Sequence, residues 1–191
     1  MTDNLKNTRT ILERGRNPWK TRDTRVVYTN PWITVREDSV VQPSGKDGIY
    51  GVVQTRIATG VIALTAEHEV VLVGQYRYPT NHYSWEIIEG GAERDEAPIE
   101  AAKRELAEEA GVVAEQWEPI GSDIHLSNCH SDEIAYLFLA TGLSEVPQKP
   151  DETEELRVAR VPLLSAIEMI DSGEIKDALS IIGLLRIARR L

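Results

Sequence analysis

A layered α/β or α+β sandwich, with helices covering the faces of a mixed sheet, is the fold class this sequence predicts. Three observations point there. Short β-branched runs recur between residues 25 and 161, helical periodicity is confined to three stretches, and Gly, Pro and Asn signals punctuate the chain between them. The 191 residues suit about one domain, and 41% apolar with 27% charged residues is ordinary globular usage. Collagen-like, low-complexity and largely disordered readings are excluded.

Residues 1–24 are polar and lean basic, which predicts a loosely attached extension with Trp19 as its anchor. Residues 25–57 read as an N-terminal module of strands: RVVYTN, WITVRED, DSVVQ and GIYGVVQTR, with PSGKDG (43–48) as a turn. Residues 58–191 form the main domain. In it, GVIALTA (60–66) and EVVLVGQY (69–76) read as a hairpin closed by Glu67-His68. A short strand, Trp85 to Ile88, precedes Gly90-Gly91, and residues 97–110 are helical. Strands follow at 116–127 and 134–140, then an acidic, proline-bearing loop over 143–155 and a last strand at 156–161. Of the two closing helices, one starts at Pro162 and stops at Gly173. The other follows Asp177 as N-cap and ends among Arg186, Arg189 and Arg190, which suits the helix dipole.

Charge narrows the function. With 21 basic against 31 acidic residues the net charge is -10, a poor basis for gripping nucleic-acid phosphates. A phosphate substrate remains accessible if metal ions bridge it to the protein. The single cysteine, Cys129, excludes an internal disulfide and a multi-cysteine zinc site. His125 and His130 flank it without further ligands or an oriented triad, so they read as structural. No apolar run approaches about 18 residues, and the N-terminus has no apolar signal core. The expectation is a cytoplasmic protein with neither a nucleic-acid nor a membrane partner.

The chemistry concentrates in residues 90–112, GGAERDEAPIEAAKRELAEEAGV. At 100° per residue, Ile99, Ala102, Leu106 and Ala110 form the apolar stripe of the helix. Glu105, Glu108 and Glu109 lie beside that stripe, at the edge of the core. Glu105 and Glu109 repel each other as an i,i+4 pair and have no cation at i±4, whereas Arg104 can reach Glu108. A solvated acidic face does not explain such a cluster. A divalent cation does, since Mg²⁺ takes hard oxygen ligands shared between carboxylates and substrate phosphates.

The spacing of these residues is Gly90, five residues, Glu96, seven residues, Arg104-Glu105-Leu106, one residue, Glu108-Glu109, one residue, Gly111-Val112. This resembles the complete box of the Nudix hydrolases. A chance match to its seven fixed letters is on the order of 10⁻⁸ per start position. The resemblance implies an α/β/α sandwich with a mixed central sheet and hydrolysis of a nucleoside diphosphate linked to a group X. The flanks VLVGQYRYPTNHYSWEIIEGG (71–91), SDE (131–133), LFLA (137–140), DETEELRV (151–158) and AIEMIDSGEIKDA (166–178) resemble the ADP-ribose and nucleoside diphosphate sugar pyrophosphatase branch.

By that resemblance Glu105, Glu108 and Glu109, with the backbone carbonyl of Glu89, hold two or three Mg²⁺ ions, Mn²⁺ being the alternative. Arg104 orients the glutamates. A loop glutamate, best matched by Glu152 and Glu154 with Glu155 as neighbour, supplies the general base or a further metal ligand. Substrate contacts are expected from Arg77 to a phosphate, Glu86 to a sugar, Trp32 to a base by stacking, and Arg36. The structural alternatives are a surface ion pair for Arg77, a buried partner of Arg77 for Glu86, and a core or interface role for Trp32. The chain departs from many relatives at Asn128-Cys129, where they carry Pro-Gly, and this weighs against ADP-ribose itself. Relatives of the branch are homodimers, which implicates the strands of residues 25–57 in self-association. Two rivals stand beside this reading. One is a hydrolase of nucleoside triphosphates or dinucleoside polyphosphates, whose chains tend to lack the N-terminal strands. The other is a non-catalytic nucleotide-sugar sensor, which would usually have lost box glutamates.

Overall fold

The computed structural model describes residues 15–149 and 155–190. Its strands are β1 (Lys20–Thr29), β2 (Thr34–Val41), β3 (Asp47–Gln54), β4 (Ala58–Ala63), β5 (Glu69–Arg77), β6 (His82–Glu86), β7 (Ile88–Gly91), β8 (Val112–Pro119), β9 (Ile124–His125), β10 (Ile134–Glu145) and β11 (Arg157–Pro162). Its helices are α1 (Pro98–Ala110), α2 (Leu163–Ser172) and α3 (Ala178–Ala188). None of them is long and apolar enough to cross a membrane.

Three sheets result. The central one runs β7-β4-β10-β8, with β9 also on β10. It is mixed, because β4 and β10 are parallel while the other pairs are antiparallel. A second antiparallel sheet runs β11-β5-β6, and a third, β1-β2-β3, is built by the N-terminal strands. Side chains alternate along β4 and β5, so neighbours enter opposite cores. Ile62 and Leu72 pack with Leu179, Leu184 and Ile187 of α3. Val61, Val71 and Val73 pack with Ala102 and Leu106 of α1. Helices therefore cover both faces, giving the α/β/α layering expected of the sequence. Burial on both faces also explains why β4 and β5 read as continuous apolar runs.

Local signals set the helix limits. α1 has Pro98 in its first turn and ends at Gly111, whose left-handed φ of 63° lets its N–H reach the last carbonyls. In α3 the Asp177 carboxylate accepts the Ser180 N–H at 2.7 Å.

Several strand expectations need correction. β4 and β5 are not a hairpin. The 65–69 turn forms, but beyond one bridge at Leu64 and Val70 the strands diverge into different sheets. Each already has two ladder partners, β7 and β10 for one and β11 and β6 for the other, so no edge remains for the pair. WITVRED and DSVVQ belong to one strand, β2, with no turn residue between them. The strand expected from Trp85 to Ile88 is interrupted at Ile87, whose N–H turns to the Ser180 hydroxyl at 3.0 Å as the chain crosses between sheets. The strand expected over 116–127 breaks into β8 and β9 around Gly121, which has φ 81°. β10 continues to Glu145, into the expected loop. β1 starts at Lys20, inside the expected N-terminal extension, and Trp19 packs edge-on against Tyr50 at 5.3 Å.

Candidate active site

The site forms where β7 meets α1. Gly90 on β7 has no side chain because the Glu105 carboxyl occupies that space. A Cβ built there would lie 2.0 Å from the Glu105 Cδ. The α1 periodicity buries Leu106 and Glu109 together, and Glu109 is only 2% exposed. Its Oε2 accepts the Glu89 N–H at 3.3 Å, which ties the helix to β7. Glu108 is the most exposed of the three box glutamates on the helix.

Arg104 organises this cluster. Its Nε and Nη2 fork onto the Glu96 carboxylate at 3.2 and 3.1 Å, and Nη2 also donates to the Gly91 carbonyl at 3.1 Å. Nη1 donates to Glu105 at 2.8 Å and to Glu108 at 3.0 Å. The bond from Arg104, helped by the Glu93 N–H, holds the Glu96 carboxyl below the usual glutamate range. Bonds to Glu96, then to Glu105 and Glu108, raise the Arg104 guanidinium further against the opposing effect of burial.

Glu89 is in a different state. Burial comes first, then the Asp177 charge and a hydrogen bond with that carboxylate, and together they push the Glu89 carboxyl well above its ordinary range. The Ser180 hydroxyl donates to Glu89 Oε1 at 2.9 Å and partly offsets this. Glu133 is also raised, by burial and then by Asp177 and Asp132.

On β5, Arg77 forks onto Glu86 of β6, with Nε at 3.0 and 3.2 Å and Nη2 at 2.5 Å. Glu86 is 2% exposed. Burial opposes the Arg77 charge, but the Glu86 hydrogen bond and charge, with Glu89 and Asp177, raise its pKa overall. Glu86 is thus a buried partner that locks Arg77, and it also lines a cavity beside Arg77 and His82.

A groove of about 700 Å³ gathers Trp32, Arg77, Glu89, Arg104, Glu105 and Glu108 on one surface. Glu109 lies beneath it. Arg36 is not among its lining residues. It shares a face of β2 with Asp38 and contacts that carboxylate at 3.3 Å. Glu152 and Glu154 lie outside the described residues, and Glu155 is exposed ahead of β11. Sequence reasoning missed Arg56, Glu133 and Asp177, which also line the groove. Glu133 closes the SDE stretch and Asp177 is a helix cap, so each carried a signal of another kind.

Among the described residues no three acid, histidine or cysteine side chains converge on one point as they stand. The Arg104 guanidinium, itself a cation, bridges Glu105 and Glu108 instead. The donors still fit a divalent metal. They are hard carboxylate oxygens, clustered on one helix edge, with Gly90 leaving room for one of them.

The family model for the NUDIX domain matches residues 54–178. The chain belongs to the Nudix family. A second family model, the nucleoside diphosphate sugar hydrolase N-terminal domain, matches residues 19–53. This Nudix chain is 33% identical over 154 residues to an ADP-ribose pyrophosphatase of Bacillus subtilis, covering 80% of this chain and 83% of the relative. It is 33% identical over 166 residues to the methanol dehydrogenase activator of Bacillus methanolicus, covering 86% and 89%. An ADP-ribose pyrophosphatase of Mycobacterium tuberculosis is 29% identical over 172 residues, covering 88% and 83%. Among solved structures, that of an ADP compounds hydrolase superposes with a TM-score of 0.80 at 19% identity, covering 94% of this chain and 97% of the other, a likeness of fold.

Proposed function

We propose that this Nudix protein hydrolyses the diphosphate of a nucleoside diphosphate sugar or ADP-ribose, giving a nucleoside monophosphate and a sugar phosphate. The observation that carries this is one groove lined by the box glutamates Glu105 and Glu108 together with Arg77 and Trp32. Carboxylates for metal, a guanidinium for phosphate and an exposed indole for a base are the three contacts such a substrate requires. The match of residues 19–53 to the N-terminal domain of nucleoside diphosphate sugar hydrolases supports the same substrate class.

Glu105, Glu108 and Glu109, with the Glu89 carbonyl, are the residues that would hold two or three Mg²⁺ ions. Bound there, the ions would neutralise the diphosphate and lower the pKa of attacking water. Arg104 fixes the carboxylates against α1 and β7. Arg77, locked by Glu86, offers its remaining guanidinium N–H groups to a phosphate. Trp32 is 69% exposed at the groove edge and stacks on the base. Glu152, with Glu154 beside it, accepts the proton of the attacking water. One P–O bond of the bridge breaks, the new P–O bond comes from water, and the bridging oxygen leaves with the other phosphoryl group. The reading includes a homodimer formed through the N-terminal strands and a cytoplasmic location, which the single cysteine suits.

The test is product release from ADP-ribose, ADP-glucose, GDP-mannose, UDP-glucose and dGTP, with Mg²⁺ and with EDTA. Metal-dependent cleavage of one or more sugar nucleotides to the monophosphate is expected. Cleavage of dGTP alone would move the protein to the triphosphate hydrolases. Tight binding without turnover would make it a sensor.

A further inference from the structure

Beside the groove lies a second lobe of about 570 Å³, lined by Thr80, Asn81, His82, Ser84, Lys176 and Glu86, the glutamate expected to contact a sugar. Arg77, Asp177 and Ala178 line both lobes, so they form the partition between them. We propose that this second lobe receives the sugar of the substrate. The assignment rests on the hydrolase reading above.

The substrate has two ends and a charged centre. The centre belongs beside Glu105, Glu108 and Arg104, all in the first lobe. That lobe also contains Trp32 and Leu126, the apolar surface a base requires. Apart from the His82 imidazole the second lobe offers no aromatic ring, and it offers no large aliphatic side chain. A base placed there would exchange the Trp32 indole and Leu126 for one imidazole. A sugar ring presents hydroxyl groups, which the hydroxyl, amide, imidazole and ammonium groups of this lobe can match.

Both walls are held in place. On one side, the turn between β5 and β6 is closed by the Tyr76 hydroxyl on Asn81 Oδ1 at 2.5 Å and by the Thr80 hydroxyl on the Arg77 carbonyl at 3.3 Å. Asn81 is left-handed there, with φ 53°. This use of Asn81 Oδ1 leaves its amide N–H groups as donors. On the other side, the segment joining α2 to α3 is pinned to β6 by the Trp85 N–H on the Glu174 carbonyl at 3.1 Å. Charge singles out Lys176. Glu86 neutralises Arg77, and Asp177 is engaged by the Ser180 N–H and by Glu89. Lys176 makes no ion pair or hydrogen bond among the described residues, so its ammonium is the donor left over for a sugar oxygen.

The test compares two substrates with the same scissile bond. One is ADP-ribose, or whichever panel substrate is cleaved fastest. The other is the methyl ester of the same nucleoside diphosphate, which has no sugar on that side. Lys176→Ala removes the donor and Thr80→Trp fills the lobe. K176A is expected to lower kcat/KM for the sugar nucleotide about tenfold more than for the methyl ester, the scale of one charged hydrogen bond. T80W should widen the gap, and its turnover of the methyl ester reports that it has folded. Equal effects on both substrates, or no effect on either, would overturn the assignment while the hydrolase reading stands. If the unmodified protein cleaves neither compound, nor anything in the panel, the hydrolase reading fails and the assignment falls with it.

Discussion

Arg104 is the residue on which the acidic cluster converges among the described residues, since it bonds Glu96, Glu105, Glu108 and the Gly91 carbonyl. Lysine would keep the charge and lose the fork. Arg104→Lys should therefore behave nearly as badly as Arg104→Ala, with activity or metal affinity down about 10–100-fold, the usual cost of removing a group that orients metal ligands. Mg²⁺ titration of activity measures this, and a lysine variant close to normal would refute it. Glu89 makes a prediction about stability. Its folded pKa is raised, by burial and then by Asp177. Below the ordinary glutamate value both folded and unfolded chains hold the proton, and the group contributes nothing. Above that value the unfolded chain releases it while the folded chain retains it, so stability falls as pH rises toward the folded pKa. Glu89→Gln copies the protonated form, keeping an acceptor for Ser180 and a donor for Asp177. In EDTA its melting temperature should match that of the unmodified protein near about pH 4 and exceed it near about pH 8. Parallel melting curves across that range would sink the argument. The box itself was legible because helical spacing is a local property. The Arg104–Glu105 bond was not, because adjacent helical side chains ordinarily diverge and this one forms through the length of the arginine.

Two glycines on the paired strands β4 and β7 separate the requirements of the site from those of the core. Gly90 faces the far end of a flexible side chain, Glu105. A Cβ built on Gly60 would lie 2.9 Å from Leu137 and Leu179 and 3.0 Å from Ile87, all in the core under α3. Gly90→Ala should push the Glu105 carboxylate out of place, abolish most turnover and leave the melting temperature nearly unchanged. Gly60→Ala should overpack the core, cost about 1–3 kcal/mol and spare turnover at low temperature. Thermal melts beside activity assays distinguish them, and loss of activity in both with no change in either melt would contradict this division. Elements bounded by caps were legible in the sequence: α1 between Pro98 and Gly111, α3 after Asp177. Strand pairing was not, because β4 and β5 meet the hairpin signature locally while one ladder partner of each, β10 and β11, comes from a distant segment. The Ile87 interruption has the same origin, since its N–H finds Ser180, 93 residues away.

At the scale of the molecule, the groove draws on β2's approach at Trp32, β5, β7, α1, the 126–133 segment and the start of α3. The box and the arginine were readable one segment at a time. Glu133 and Asp177 became groove residues only when those segments met. The same consideration applies to the N-terminal sheet. It joins the rest through a seam that includes the Val53 N–H on the His130 carbonyl at 2.8 Å, the Asp132 N–H on the Val53 carbonyl at 3.2 Å, and the Tyr50 hydroxyl on the Cys129 carbonyl at 2.7 Å. Beyond that seam β1 is exposed along all of its 10 residues, with Val26 62% and Tyr28 55% exposed, and Ile49 on β3 is 68% exposed. A long edge strand bearing apolar side chains is a liability for an isolated chain and an ordinary interface for two. A second copy laid against this sheet would remove that surface from water, and a stable dimer buries about 1,200–2,000 Å² in total. Sedimentation equilibrium at micromolar concentration should therefore give about twice the chain mass. The double variant Val26→Glu with Tyr28→Glu should sediment as one chain and keep a cooperative melt, since neither side chain belongs to the two cores beneath the helices. If the unmodified protein sediments as a monomer, the exposed sheet needs another partner. If the double variant remains a dimer, the interface lies on a different face.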